Sequence, residues 1–163
     1  MNHAPRRVDD DSSTRAPDSQ VSRGASAARR GAGAAVVLGA LAAIAATVLP
    51  VLRVAVDREL QPALDRSGWD LHGPALIILA VLALLLLPAA VRGMTAAAGL
   101  ITLCGAILLG IVLLGDLPDI NDTGLVAKSL VEGTLRAGAG AYAEALAGVL
   151  IVLGGGVLVA LRE

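Results

Sequence analysis

The sequence predicts an all-α membrane protein, a polytopic bundle of four helices. The first observation behind this is four long apolar stretches: Gly33–Leu52, Pro74–Val91, Met94–Leu114 and Ala139–Leu161, of 20, 18, 21 and 23 residues. Since a helix rises about 1.5 Å per residue, about 20 residues cross a hydrocarbon core about 30 Å thick. The second is composition: 56% of the 163 residues are hydrophobic and the mean hydropathy is +0.76, which suits lipid better than water as solvent. The third is charge. No Asp, Glu, Lys or Arg falls within the four stretches except Glu144, near the start of the last.

The chain opens with a polar tail, residues 1–30, carrying Pro5, Pro17 and scattered Ser, Asp and Arg. It holds too little apolar surface to offset the entropy of ordering, so disorder is expected there, with the four-helix domain occupying 31–163. The tail arginines are expected only to set orientation; the alternative is that they lie against anionic headgroups, each worth about 1 kcal/mol near the surface. Arg29-Arg30 directly precede the first stretch. That stretch is longer than the 7–15 apolar residues of a signal-peptide core. Its small-residue triplets, such as Ala43-Ile44-Ala45, lie inside it, so an uncleaved first span is expected.

Backbone polar groups cannot stay open in lipid, so each span should be helical. Orientation follows basic residues in short flanking segments. Arg6, Arg7, Arg15, Arg23, Arg29, Arg30, Arg92 and Arg162 share one side, eight in all, against Arg53, Arg58, Arg66, Lys128 and Arg136, five, on the other. Both termini and the turn at 91–94 are therefore expected in the cytoplasm. Loops of about 53–73 and 115–138 then face outward.

In loop one, Val54 and Val56 alternate with Arg53, Ala55 and Asp57, the period of a half-covered strand. A short extracytoplasmic β-hairpin is expected there, with Pro62 at its turn. Trp69 stands just before span two, where an indole acts as an interfacial anchor. His72 follows it, and Pro74 suits a first helical position. In loop two, Lys128, Glu132 and Arg136 fall at i, i+4 and i+8, with Leu125, Val126, Leu130, Val131 and Leu135 over much of the remainder. That pattern predicts an amphipathic helix lying on the membrane or capping the bundle. Trp69, His72, Lys128, Glu132 and Arg136 are the candidate interfacial and interaction residues.

Helices in lipid associate through close van der Waals fit, so small residues mark contact faces. Span one offers Ala35, Gly39 and Ala43. Span three offers Ala98, Thr102, Ala106 and Gly110. Span four offers Gly140, Glu144, Gly148, Val152 and Gly156, together with Gly154-Gly155. Gly39, Ala106, Gly110, Gly148 and Gly155 are the expected packing positions. Span two is rich in leucine and should meet more lipid.

For function, an ion or proton path needs ionisable residues within the bundle. Glu144 is the one candidate inside a span, with Tyr142 and Asp116 as further members of a polar site at the outer mouth. The plainer reading is an interfacial carboxylate near a helix N-terminus, where the helix dipole favours negative charge. Catalysis finds no support: His72 and Asp70 form a loop pair without a placed nucleophile. No ligand spacing suggests a metal, and no cofactor is expected. The net charge of −1 does not favour nucleic acid. Cys104 is the only cysteine and sits in mid-span, where it acts as a small apolar residue. Partners are the bilayer itself and either a membrane protein or a second copy. A structural or interaction role through the outer loops is expected, and a small transporter or channel-like subunit using Glu144 is the alternative.

Ser67-Gly68-Trp69-Asp70-Leu71 entering span two, and Gly138-Ala139-Gly140-Ala141-Tyr142 with Leu146, Gly148 and Gly154-Gly155 in span four, resemble small four-span membrane proteins of actinobacteria. The resemblance covers about residues 30–161. It implies a plasma-membrane location and brings no activity with it. Twelve arginines against one lysine, and no phenylalanine, fit a GC-rich bacterial genome. The topology is also similar to that of claudin-like proteins, but the paired loop-one cysteines of that group are absent and nothing is carried over.

Overall fold

Helix α1 runs from Pro17 to Ala46, so it starts well inside the segment expected to be a disordered tail. The computed structural model describes residues 17–56, 59–60, 65–116, 123–126 and 131–161, with side chains described for 24–53, 65–115 and 136–161. Alanine-rich sequence over 25–46 sustains the helix with little propensity cost, and the charged turns at its start simply extend it. Its other end falls short of the expected Leu52. Thr47 Oγ1 donates to the Ile44 carbonyl at 2.6 Å, and the chain leaves the helix three residues before Pro50. Proline disfavours α geometry in the residue before it and cannot donate to a ladder, which suits the first position of strand β1 (Pro50–Val56).

Two short strands, β2 (Glu59–Leu60) and β3 (Arg66–Ser67), both pair antiparallel with β1. The expected loop-one hairpin is therefore present, with Val56 opposite Glu59, and Pro62, expected at its turn, lies outside the described residues. A five-residue helix α2 (Gly68–His72) leads into α3 (Ala75–Val91). A reverse turn follows: Gly93 N–H donates to Ala90 O at 3.0 Å and Met94 N–H to Ala89 O at 3.0 Å, with Gly93 at φ +95. That positive φ is the left-handed C-terminal position that glycine occupies without strain. Helix α4 (Thr95–Ile111) ends in a π-helical turn, Val112–Asp116. Strands β4 (Thr123–Val126) and β5 (Val131–Ala137) precede α5 (Ala139–Ala160).

The amphipathic helix expected over 124–136 is not formed; a β-hairpin takes its place, with Leu125 opposite Glu132 and Val126 opposite Val131. The reason is arithmetic. Polar residues four apart, as at Lys128, Glu132 and Arg136, satisfy a period of two as well as a period near 3.6. Val131, Gly133, Leu135 and Ala137 alternate with Glu132, Thr134 and Arg136, and Gly and Thr weaken a helix. β5 then pairs with β1, Arg53 opposite Arg136 and Val54 opposite Leu135, so both loops join one sheet of order β2-β1-β5-β4.

Among the described residues, three helical segments are long and apolar enough to cross a membrane: Gly24–Ala46, Thr95–Gly115 and Ala139–Ala160. α3 is apolar throughout but shorter, 17 residues or about 26 Å. α5 lies between α1 and α4, and α3 packs against those same two helices. The centre of this bundle is small. Ten of its 17 buried core residues are alanine, joined by Val36, Leu76, Ile101, Cys104, Leu108, Ile151 and Leu158. Large side chains point outward instead: Leu38, Leu41, Ile78, Leu85, Leu103, Leu146 and Leu153 are all more than half exposed. A water-soluble bundle would bury its leucines and expose polar groups. This arrangement suits small-residue helix contacts with an apolar solvent outside.

Close contacts locate the packing faces. A Cβ on Gly39 would meet Ile151 Cγ1 at 2.7 Å and Ala147 O at 2.9 Å. One on Gly148 would meet Leu109 Cγ at 2.7 Å, and one on Gly155 would meet Thr102 Oγ1 at 2.6 Å. Those three expected positions lie at helix contacts. Ala106 and Gly110 do not: Ala106 is exposed, and a Cβ on Gly110 would have nothing within 4 Å. Four residues turn a helix through about 400°, so a stripe drawn at i+4 drifts about 40° per step. By its third and fourth members it has left the interface, and Gly105 and Leu108 take over. The same drift leaves Gly156 open and brings Gly155 into contact.

Candidate functional site

The polar residues of interest gather where the sheet meets the bundle. The segment 47–51 organises this end. Thr47 O accepts from Trp69 N–H at 2.9 Å, Leu49 O from Gly68 N–H at 3.3 Å, and Val51 O from Gly138 N–H at 2.7 Å. Backbones approach so closely that side chains would not fit. A Cβ on Gly68 would lie 2.5 Å from Ala46 O, and one on Gly138 would collide with Pro50 O. These glycines let α2 and the β5–α5 junction close onto the end of α1.

Helix α2 is shaped by Ser67 and Asp70. Asp70 N–H donates to Ser67 Oγ at 3.3 Å. Asp70 Oδ2 accepts from Ser67 N–H at 3.1 Å and from Ser67 Oγ at 2.8 Å, a reciprocal capping box. The hydroxyl bond, the Ser67 backbone N–H and the nearby Arg66 cation hold the Asp70 carboxyl below its ordinary value. A folded-state pKa below the unfolded one means the cap contributes fully above the unfolded value, about 3.9, and is lost as pH falls through the folded one. Trp69, the only tryptophan, sits inside this turn and reports on it. Its emission should shift when the native protein is acidified below about pH 4, and Asp70→Asn should show the shifted emission already at neutral pH. A pH-independent spectrum in the native protein would count against the cap.

The turn of α2 separates its side chains. Trp69 is half exposed, while His72 turns inward. His72 Nε2 lies 3.8 Å from Glu144 Oε1, and the Glu144 side chain is fully buried. Glu144 sits in the second turn of α5, on the face carrying Gly140, Ala141, Ala147 and Gly148, all buried. It lies beyond the first turn, where the helix dipole acts most strongly, and it is enclosed between α5 and α2. Burial of a carboxylate demands a partner, and the facing His72 imidazole is placed to supply one.

Of the residues expected beside Glu144, Tyr142 is 70% exposed. Two residues along a helix is a rotation of about 200°, so Tyr142 and Glu144 take opposite faces. Asp116 closes the π-helical turn after α4, which packs against α5, and its side chain is not described. Lys128 lies outside the described residues. Glu132 pairs with Leu125 in the β4–β5 ladder. Arg136 is exposed and stands opposite Arg53. Like charges facing across strands repel, and Asp65, with Oδ2 3.7 Å from Arg53 Nε, offsets them. Neither Thr47 nor the Asp65–Arg53 pairing was singled out by sequence. A signal did exist for α2: Ser67 followed three residues later by an acid.

Among the described residues no group of three or more His, Cys, Asp or Glu could hold a metal ion. The site brings a carboxylate and an imidazole to 3.8 Å of each other at the sheet end of the bundle. Its outer surface presents Trp69, Arg66, Arg136 and Tyr142. No protein-family model and no curated protein matches the chain.

Proposed function

We propose that this chain is a four-span protein of the plasma membrane whose outer sheet is an interaction surface, with no catalytic role. The observation that carries the reading is the joining of the two outer loops into one sheet at one end of an outwardly apolar bundle. Two loops serving only as tethers would have no need to share a ladder. Paired through β1 and β5, they form a platform held by its own backbone hydrogen bonds. Trp69 and Tyr142, the only two large aromatics in the chain, stand exposed at this end, where aromatic side chains anchor a protein at the headgroup level. Excess arginine near the other end supports cytoplasmic termini, and the four-span actinobacterial resemblance supports the plasma membrane.

One experiment tests both orientation and role. In a Cys104→Ala background, cysteines replace Arg66, Arg136 and Arg92 singly. A membrane-impermeant maleimide added to intact cells should label positions 66 and 136, and position 92 only after permeabilisation. A photo-crosslinker at position 136 should give an adduct of discrete mass, with none from lipid-facing position 85. Labelling of 66 and 92 from the same side would overturn the topology. Equal adducts at 136 and 85, or none at either, would overturn the interaction role.

A second reading has its own support. A wholly buried Glu144 facing His72 is what a proton- or cation-handling subunit would keep. Under this reading, Glu144→Gln in proteoliposomes should abolish any pH-gradient-driven flux seen with the native chain. Flux unchanged by that substitution would end it.

A further inference from the structure

The bundle end away from the sheet has a different chemistry. Among residues with described side chains, every carboxylate, namely Asp65, Asp70 and Glu144, lies at the sheet end. The opposite end carries Arg29 and Arg30 on α1 and Arg92 at the close of α3. Asp18 is about three helical turns further along α1, and Glu163 lies outside the described residues.

The backbones that carry these arginines lie at one level of the bundle. A Cβ on Gly33 would touch Val91 Cγ2 at 3.8 Å and Leu87 Cδ1 at 4.0 Å, so α1 at Gly33 is level with the last turn of α3. Arg29 and Arg30 lie one turn before Gly33 on α1, and Arg92 follows Val91 directly. Arg29 is also held in place: its Nη2 donates to Leu161 O, the last described carbonyl after α5, at 2.8 Å. A guanidinium carries five N–H donors, so one bond positions Arg29 and leaves most of its donors for an anion. Below the arginines, α1 and α3 meet in a seam at Gly33, where no side chain of α1 fills the contact. Val37 and Val91 border it, each a little over one-third exposed.

We propose that this end holds an anionic phospholipid, its phosphate on Arg29, Arg30 and Arg92 and one acyl chain along the Gly33 seam. Charge and shape agree on this occupant. Arginine forks match phosphate oxygens, and the apolar seam suits a hydrocarbon chain where an aqueous anion would gain nothing. The inference rests on the membrane reading above, since it needs α1 and α3 to emerge at the inner leaflet.

The test uses the full chain purified in mild detergent, with bound lipid counted by native mass spectrometry. Phosphatidylglycerol should be retained in preference to phosphatidylcholine. The paired substitution Arg30→Gln and Arg92→Gln should weaken phosphatidylglycerol retention by about 30-fold, the effect of two arginines near an anionic surface. Arg30→Lys with Arg92→Lys should keep most of it. Gly33→Leu should lower retention of the lipid while leaving the charges intact. Inorganic phosphate at millimolar level should not displace the lipid. Equal retention of both lipids by the native chain would overturn the proposal, as would an unaltered preference in the paired glutamine variant, or displacement by inorganic phosphate. A chain that stays in the membrane pellet after alkaline carbonate yet shows no lipid preference fails the proposal alone. One released by carbonate fails the membrane reading as well.

Discussion

Gly105→Ala is expected to lower the stability of the detergent-solubilised protein by about 2–3 kcal/mol, the upper part of the range for overpacked cores. The added methyl would lie 2.6 Å from Val152 N and 3.0 Å from Gly148 O, and neither backbone atom can rotate away. α4 and α5 would have to separate along their whole seam, because Gly148 and Gly155 hold it equally close further along. Gly148→Leu should be worse still. Gly156→Ala is the control: nothing lies within 4 Å of its Cβ position, and alanine favours a helix by up to about 1 kcal/mol over glycine. Reversible unfolding followed by circular dichroism measures all three. If Gly105→Ala and Gly156→Ala unfold together, the α4–α5 seam is not close-packed.

Glu144→Ala is expected to cost about 3 kcal/mol. It removes a fully buried side chain and leaves the His72 imidazole facing a void. His72→Ala should cost less, since His72 is nearer the surface. The informative quantity is the double-mutant coupling. With the groups 3.8 Å apart, about 1–3 kcal/mol of interaction is expected. The same variants should free α2 from the bundle and alter Trp69 emission. Additive losses would mean that the two groups are neighbours without acting on each other, and the proton-handling reading would lose its basis together with the pair.

These two residues also show what a linear reading can reach. Glu144 stands out in sequence as the lone ionisable residue within an apolar span, and His72 as one of two histidines. Nothing in their spacing, 72 positions apart, brings them together. That contact depends on α2 folding back over the end of α1, which in turn depends on glycines at 68 and 138 letting backbones approach. Tyr142 illustrates the opposite error. Proximity in sequence placed it beside Glu144, and helical rotation puts it on the outer surface.

Loop two makes a related point. Its polar residues recur every four positions, a spacing compatible with either helix or strand, so local pattern alone left the choice open to error. Pairing with β1 decided it, because a strand beside a neighbour satisfies its backbone groups. The packing stripes drifted for a similarly simple reason: a helix is not a four-residue repeat. Gly39, Gly148 and Gly155 were nevertheless legible as contact positions, since only small residues permit the approach.

What the amino-acid order determined by itself was the solvent the protein is made for. Long uncharged runs of Ala, Leu, Val and Ile have a hydropathy that no particular arrangement can undo, and the apolar helices follow from it. The tertiary structure alone decided which faces of those helices meet, that two distant loops share one sheet, and that a carboxylate is sealed against an imidazole. The physical reason is range: hydropathy and helix formation act over a few neighbouring residues, whereas strand pairing and side-chain burial join residues far apart in the chain.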